Sequence, residues 1–74
     1  MKLTIRDDKG ILVATITNNY HITQILTSVK GEWKTGKYEH GMKNYLLVKD
    51  GFTFNVGNMI TIYVWENYRI FSEN

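Results

Sequence analysis

The sequence predicts an α+β fold: a mainly antiparallel β-sheet of five to six short strands with one amphipathic helix packed on one face. Several short segments alternate apolar and polar residues with the period of two that is typical of strands. A single segment, residues 20–30, repeats its apolar residues with the period of a helix. Turns rich in Asp, Asn and Gly separate these segments. The predicted order is ββα-loop-βββ, within a single small α+β domain spanning residues 1–74.

The first seventeen residues predict a β-hairpin. Leu3 and Ile5 alternate with polar neighbours, as in a half-buried strand. Residues 7–10 (Asp-Asp-Lys-Gly) form the predicted turn, because aspartate side chains accept hydrogen bonds from nearby backbone and Gly10 can adopt a positive φ. Residues 11–17 are mostly β-branched and are expected to return antiparallel to the first strand.

Residues 20–30 predict the helix. The apolar side chains at i, i+3, i+4 and i+7 are Ile22, Ile25, Leu26 and Val29. Asn19 is the expected N-cap, and Gly31 is expected to close the C-terminus. The many β-branched residues lower the helix propensity. A strand over the same residues would have no coherent apolar face, so the helix is favoured.

The second half of the chain predicts further strands separated by tight turns. The predicted strands are residues 44–49, 52–56, 59–65 and, as a short last strand, 68–71. Asp50-Gly51 is a strong hairpin signal between the first two. Gly57-Asn58 and Glu66-Asn67 are expected to make the remaining turns.

Tyr63 and Trp65 alternate with the aliphatic residues of the longest predicted strand. If the aliphatic residues face the helix, these two rings lie on the uncovered face of the sheet. Tyrosine and tryptophan are enriched at protein interfaces, which makes both rings candidate partner contacts. The alternation leaves open a purely structural role, under residues 31–43 or in a dimer interface.

Residues 31–43 predict an irregular, basic loop. Residues 30–49 contain five lysines and two glutamates, a local charge of +3, while the whole chain carries only +2. The candidate partner-binding residues of this loop are Trp33, Lys34, Lys37, Tyr38 and Lys43. Aromatic rings could anchor a partner while the lysines steer its approach. Solubility of a small domain is the alternative explanation of the lysines.

The length and composition limit the class of protein. A chain of 74 residues buries only about 60% of its unfolded surface, which favours self-association, and we expect a homodimer. The absence of cysteine excludes disulfides and thiol catalysis. The apolar runs are too short for a signal peptide or a membrane span, so a cytoplasmic protein is expected.

The sequence contains none of the catalytic motifs considered below, so we predict that the protein is not an enzyme. The sequence lacks a G-x-S-x-G elbow, a phosphate-binding glycine motif and an H-E-x-x-H zinc motif. Most of its seven acidic residues fall in predicted turns or at strand edges, so a converging catalytic pair is not expected. No catalytic residue, cofactor or metal is therefore predicted.

The whole chain resembles the small inhibitor proteins of phages that infect low-GC Gram-positive bacteria. The resemblance rests on the short length, the absence of cysteine, the single alanine and the heavy use of Ile, Asn, Lys and Tyr, which AT-rich codons encode. It implies a protein that blocks a host protein of DNA replication, such as the sliding clamp, or of defence. Gln24-Ile25-Leu26 matches the start of a clamp-binding peptide, but Thr27-Ser28 replaces its aromatic end.

Two functions therefore remain open from the sequence. The first is a non-enzymatic protein-binding module, a phage-encoded inhibitor that blocks a host protein inside the host cell. The alternative is a sequence-tolerant binder of single-stranded nucleic acid. In that case the lysines of residues 30–43 would contact phosphates, and Trp33 and Tyr38 would stack on unpaired bases.

Overall fold

The computed structural model describes residues 1–57 and 60–73, which form seven strands and one helix. In chain order the elements are β1 (Lys2–Arg6), β2 (Leu12–Ile16), α1 (Asn19–Ser28), β3 (Gly31–Tyr38), β4 (Gly41–Val48), β5 (Phe52–Val56), β6 (Ile60–Val64) and β7 (Arg69–Glu73). The predicted combination of mainly antiparallel strands with one helix is confirmed.

The strands form two separate sheets. The larger sheet has the order β2-β1-β7-β4-β3, and all its neighbouring strands are antiparallel. Strands β5 and β6 pair only with each other in the described part of the chain. The core lies between one face of the larger sheet and a second layer made of α1 and the β5–β6 hairpin. The helix therefore shares its side of the larger sheet with a second, two-stranded sheet that the sequence did not predict.

The core is almost entirely aliphatic. Its buried members are Leu3, Ile5, Ile16, Ile22, Ile25, Leu46, Val48, Phe54, Val64 and Ile70. The helix contributes Ile22 and Ile25, as its periodicity predicted, whereas Leu26 is 36% exposed. Because Ile25 is fully buried, the residues that resemble the start of a clamp-binding peptide are not available as an exposed motif.

The first hairpin is confirmed in detail. The Asp7 side chain accepts hydrogen bonds from the backbone N–H groups of Lys9 and Ile11, both at 2.9 Å. Gly10 has a φ of +85°, the left-handed conformation that favours glycine. The Arg6 guanidinium donates to the Gly10 carbonyl at 2.9 Å and further fixes the turn.

The helix begins and ends earlier than predicted. Asn18, and not Asn19, is the N-cap, and its side chain accepts a hydrogen bond from the backbone N–H of His21 at 3.2 Å. The helix ends at Ser28, and Val29 follows in extended conformation. Gly31 does not close the helix but begins β3.

The prediction of an irregular loop over residues 31–43 is wrong. These residues form β3, the start of β4 and the turn between them, and eight cross-strand pairs join the two strands. The positive φ of Glu39, +54°, makes the tight turn. The prediction failed because this segment is rich in glycine and lysine, so it lacks the alternation of apolar and polar residues by which a strand is recognised. The order observed is ββαβββββ, with one strand more than the upper limit predicted.

The Asp50-Gly51 hairpin prediction is also wrong. Strand β4 pairs with β3 and β7, and the chain after β4 crosses to the second layer, where β5 pairs with β6. The backbone N–H groups of Lys49 and Asp50 both donate to the Lys30 carbonyl, which directs the chain away from the larger sheet. The predicted strand over residues 59–65 is observed as β6, with Met59 outside the described residues.

Gly31 is the position where the sheet has no room for a side chain. A Cβ atom there would lie 2.6 Å from the Leu47 carbonyl oxygen. We expect Gly31→Ala to lower the free energy of unfolding by about 1–3 kcal/mol, because the backbone must shift to relieve the contact. Chemical denaturation measures the change.

Gly41→Ala is the matched control for Gly31→Ala. A Cβ atom at Gly41 would meet no atom within 4 Å, and its φ is not positive. The stability of this variant is expected to be unchanged or to rise by up to about 1 kcal/mol. Equal stabilities of the two variants would contradict the assigned register of β3 and β4.

Candidate partner-binding surfaces

Tyr63 and Trp65 form an exposed pair, here called the aromatic strip, on the outer side of the β5–β6 hairpin. Their rings are nearly parallel, at an interplanar angle of 15° with centroids 6.4 Å apart. Tyr63 is 57% exposed and Trp65 is 61% exposed. Large aromatic side chains with this much free surface are the residues that most often anchor protein interfaces.

The strand pattern explains the orientation of the aromatic strip. Val64 is buried in the core and Ile62 packs against it, so the residues alternating with them point away from the core. Beside the strip lies an apolar groove of about 330 Å³, which also includes Gly51 and Phe52. The predicted alternation is therefore observed over residues 62–65, whereas Ile60 is 59% exposed, and it places the two rings beside a concavity.

The predicted residues of segment 31–43 do not share one surface. Trp33 is opposite Leu46, whose side chain is in the core, so Trp33 lies on the core side of the larger sheet at its β3 edge. Lys34 is opposite Tyr45, on the other face. Since side chains alternate along a strand, Trp33 and Tyr38 point to opposite faces of β3. They cannot stack together on one strand of nucleic acid as the loop hypothesis required.

Tyr38 belongs to a second surface, on the face of the larger sheet that points away from the core. Its ring stacks on Phe71 at a centroid distance of 4.3 Å, and Tyr45 packs against the same phenylalanine at 5.4 Å. Phe71 is only 2% exposed as a result. Gly36 leaves room for this arrangement, since a Cβ atom there would lie 3.2 Å from the Tyr45 ring.

Two arginines complete this second surface. The guanidinium carbon of Arg6 is 5.3 Å from the centre of the Tyr38 ring, and that of Arg69 is 5.2 Å from the centre of the Tyr45 ring. Both contacts are cation–π interactions. We call Arg6, Tyr38, Tyr45, Arg69 and Phe71 the arginine–tyrosine cluster.

The lysines of the β3–β4 hairpin differ in their pairing. The Lys34 ammonium lies 2.9 Å from a Glu32 carboxylate oxygen, and Lys49 lies 3.3 Å from the other. The hydrogen bond from Lys34, together with that from Lys49, holds the pKa of Glu32 below its ordinary value of 4.5, and Glu32 in turn raises the pKa of Lys34. Lys37 and Lys43 make no ion pair with a described residue.

Sequence reasoning missed four members of the arginine–tyrosine cluster: Arg6, Tyr45, Arg69 and Phe71. Arg6 and Arg69 are 63 positions apart in the chain, and only the pairing of β1 with β7 makes them neighbours. Alternation could have placed Arg69 and Phe71 on one face of a short strand. Nothing local indicated that this strand lies in the middle of the sheet.

Residues 1–57 and 60–73 contain no group of three or more His, Asp or Glu side chains arranged to hold a metal ion. The helix α1, with ten residues, is too short to cross a membrane, and no other helix occurs there.

Comparison of the chain with protein-family models gives no match. Comparisons with curated proteins and with solved structures likewise give no significant match. The aromatic strip and the arginine–tyrosine cluster are therefore the features of this chain from which a function can be inferred.

The ion pairs of Glu32 predict a pH dependence of stability. A carboxyl group whose pKa is lower in the folded state stabilises the fold above its unfolded pKa, and this contribution is lost as the pH falls through the folded value. Glu32→Gln should therefore lower the melting temperature slightly at neutral pH and have no effect well below pH 4.5. Thermal melts followed by circular dichroism, from neutral pH to below pH 4.5, measure the melting temperatures of the variant and of the unmodified protein.

Glu66→Gln provides the control, since Glu66 makes no ion pair shorter than 4.0 Å in the described part of the chain. Its melting temperature is expected to follow that of the unmodified protein at neutral pH. A Glu32→Gln effect that persisted unchanged in acid would rule out the ion pairs as its cause.

Proposed function

We propose that this chain is a non-enzymatic binding protein whose aromatic strip docks on another protein. The observation that carries the proposal is the stacked, exposed pair Tyr63 and Trp65 beside the groove at Gly51 and Phe52. The two rings stack on each other, so both are partly ordered before binding, and a partner side chain could fill the groove. Pre-ordered aromatic anchors reduce the entropic cost of association.

The resemblance to small phage inhibitors supplies the class of partner. A host protein of DNA replication, the sliding clamp first, or of defence is the partner we propose, met in the cytoplasm of the host cell. The chain would act by covering a functional surface of that protein. The aromatic strip and the apolar groove beside it suit occlusion, because a bound inhibitor of this kind needs contact area and no chemistry.

The basic residues of the β3–β4 hairpin have a secondary role in this proposal. Lys37 and Lys43 have no acidic partner in the described residues and can attract an acidic surface at long range. Lys34 is already paired with Glu32 and contributes less to this attraction. Trp33, 61% exposed at the β3 edge, is a separate contact from the aromatic strip.

The proposal includes a homodimer formed through β2. This strand is an edge of the larger sheet and pairs with β1 alone among the described strands. Ile11, Leu12 and Val13 are consecutive and exposed, and residues 11–17 contain no charge or proline. Natural edge strands usually carry a charged residue or a proline, which prevents pairing between molecules. Antiparallel pairing of two copies of β2 would cover this edge and extend the sheet across a two-fold axis.

The aromatic strip is tested by binding to purified bacterial sliding clamp and by capture of partners from a host lysate. We expect Trp65→Ala to weaken binding by about 2 kcal/mol or more, the loss typical of a central aromatic anchor. Tyr63→Ala should weaken it by a similar or smaller amount. Isothermal titration calorimetry measures the affinity.

Tyr20→Ala is the matched control for these two variants, because Tyr20 is an aromatic residue, 73% exposed, on α1 and outside the strip. Its affinity is expected to equal that of the unmodified protein. Failure to bind the clamp, with capture of a different host protein that depends on Trp65, would transfer the proposal to that partner. Capture that is independent of Trp65 and Tyr63 would overturn the proposed docking surface.

The dimer is tested by light scattering at tens of micromolar protein. We expect a dimeric mass for the unmodified chain and a monomeric mass for Leu12→Lys, because a charge at this exposed edge opposes strand pairing. Met42→Lys places the same charge on another exposed apolar residue and should leave the dimer intact. A monomeric unmodified chain would refute the dimer.

A further inference from the structure

Arg6 and Arg69 are directly opposite each other on β1 and β7. Side chains in this position lie about 5 Å apart at their Cβ atoms, and like charges so placed destabilise a sheet. No carboxylate of the described residues lies within 4.0 Å of either guanidinium. The fold thus holds two cations together without an internal anion to compensate them.

Both guanidiniums also retain unused hydrogen-bonding capacity. The Nε atom of each arginine is shielded from solvent and has no hydrogen-bond acceptor in the described structure. The Thr4 hydroxyl, on the same face next to Phe71, is buried without a partner as well. Buried donors without acceptors are rare in folded proteins and call for an explanation. The terminal Nη groups of Arg69 are not among these shielded atoms and donate to no acceptor of the described residues, so an anionic ligand that approaches this face can accept hydrogen bonds from them.

The rest of the face strengthens the positive potential. The strand register places five basic residues and two carboxylates on it, a net charge of +3: Lys2, Arg6, Lys34, Lys43, Arg69, Glu32 and Glu73. Both carboxylates are already paired, Glu73 with Lys2 and Glu32 with Lys34 and Lys49. The whole chain has a net charge of +2, so this face carries more positive charge than the entire molecule.

We infer that this face, centred on the arginine–tyrosine cluster, binds single-stranded nucleic acid. Guanidinium groups hold phosphates through paired hydrogen bonds, and their planes stack on bases. Here the guanidinium planes lie over the tyrosine rings, so the planar groups offered to unpaired bases are those of Arg6 and Arg69, surrounded by further basic side chains that can contact phosphates. An acidic peptide would satisfy the charges, but it would leave unused the planar guanidinium groups that lie over the tyrosine rings.

The arginine–tyrosine cluster is separate from the aromatic strip. The arginine–tyrosine cluster lies on the face of the larger sheet that points away from the core, whereas Tyr63 and Trp65 lie on the outer side of the second layer. The nucleic-acid site also differs from the loop suggested by the sequence. It retains Tyr38, Lys34 and Lys43 from that segment, excludes Trp33 and adds Arg6, Tyr45 and Arg69.

The test is fluorescence anisotropy with end-labelled single-stranded DNA and RNA of about 12 nucleotides, titrated with the unmodified protein at about 20 mM salt. We expect saturable binding to at least one of the two, weakened by added salt. Duplex DNA of the same length and polyglutamate are the competitors. Both should displace the labelled strand at least about tenfold less well than unlabelled single strand, because neither offers unpaired bases.

Variants locate the site. Arg69→Gln should weaken binding about tenfold or more, which is the cost of one charge-assisted hydrogen bond, and should reduce the log–log salt slope by about 0.7. Arg69→Lys keeps the charge and hence the salt slope, but it should lose affinity because the planar fork is gone. Circular dichroism of each variant confirms folding, and Arg69→Lys keeps the test decisive if Arg69→Gln does not fold.

Lys30→Gln is the charge-matched control, since it removes one positive charge next to the end of α1 and outside the cluster. Its affinity and salt slope should stay close to those of the unmodified protein. The inference is overturned by the absence of binding at low salt, by equal effects of Lys30→Gln and Arg69→Gln, or by competitors that displace the strand as well as unlabelled single strand does.

Discussion

The insertion of β7 between β1 and β4 is the contact on which the rest of the structure depends. Without it, the β1–β2 and β3–β4 pairs would be separate two-stranded ribbons, which are marginally stable by themselves. With it, they become one five-stranded sheet, and Ile70 enters the core with only 1% of its surface exposed. This pairing joins residues 2–6 to residues 69–73, so it is a non-local contact whose formation carries a large loop-closure entropy.

The same strand determines the surface on the other side of the sheet. Since neighbouring side chains of β7 point to opposite faces, Ile70 in the core places Arg69 and Phe71 outside it. Phe71 is too large and apolar to remain exposed there, and Tyr38 and Tyr45 cover it. The coverage brings the tyrosines under the two guanidiniums. A structural need to shield one phenylalanine has therefore assembled a basic and aromatic surface from four different strands.

Local patterns in the sequence predicted the elements whose signal lies within a few residues. Asp7 and Gly10 make the first turn as expected, and Ile22 and Ile25 mark the buried side of the helix. Local patterns gave wrong predictions where the pairing of a strand depends on residues far away in the chain. Asp50-Gly51 has the sequence of a hairpin turn, but β4 pairs with β3 and β7 and not with β5. The candidate sites show the same difference between local and remote contacts. The orientation of Tyr63 and Trp65 could be predicted from alternation along one segment. The Arg6–Arg69 pair could not, because it depends on the register of two strands far apart in the chain.

Substitutions in the two proposed surfaces differ in how they affect the stability of the fold. Tyr63 lies in β6 and Trp65 follows this strand directly, in a hairpin that pairs only with itself among the described strands, so changes to these exposed rings leave the hydrogen bonds of the larger sheet intact. The arginine–tyrosine cluster takes four of its five members from the inner strands β1, β7 and β4, and only Tyr38 from the edge strand β3, so a substitution there acts on stability and on binding together. Substitutions at distant sites without shared partners add in free energy, whereas those within one network do not. A double variant at Trp65 and Arg69 should therefore show additive changes in stability, and Tyr38 with Arg6 should not, because the latter two side chains are in direct contact.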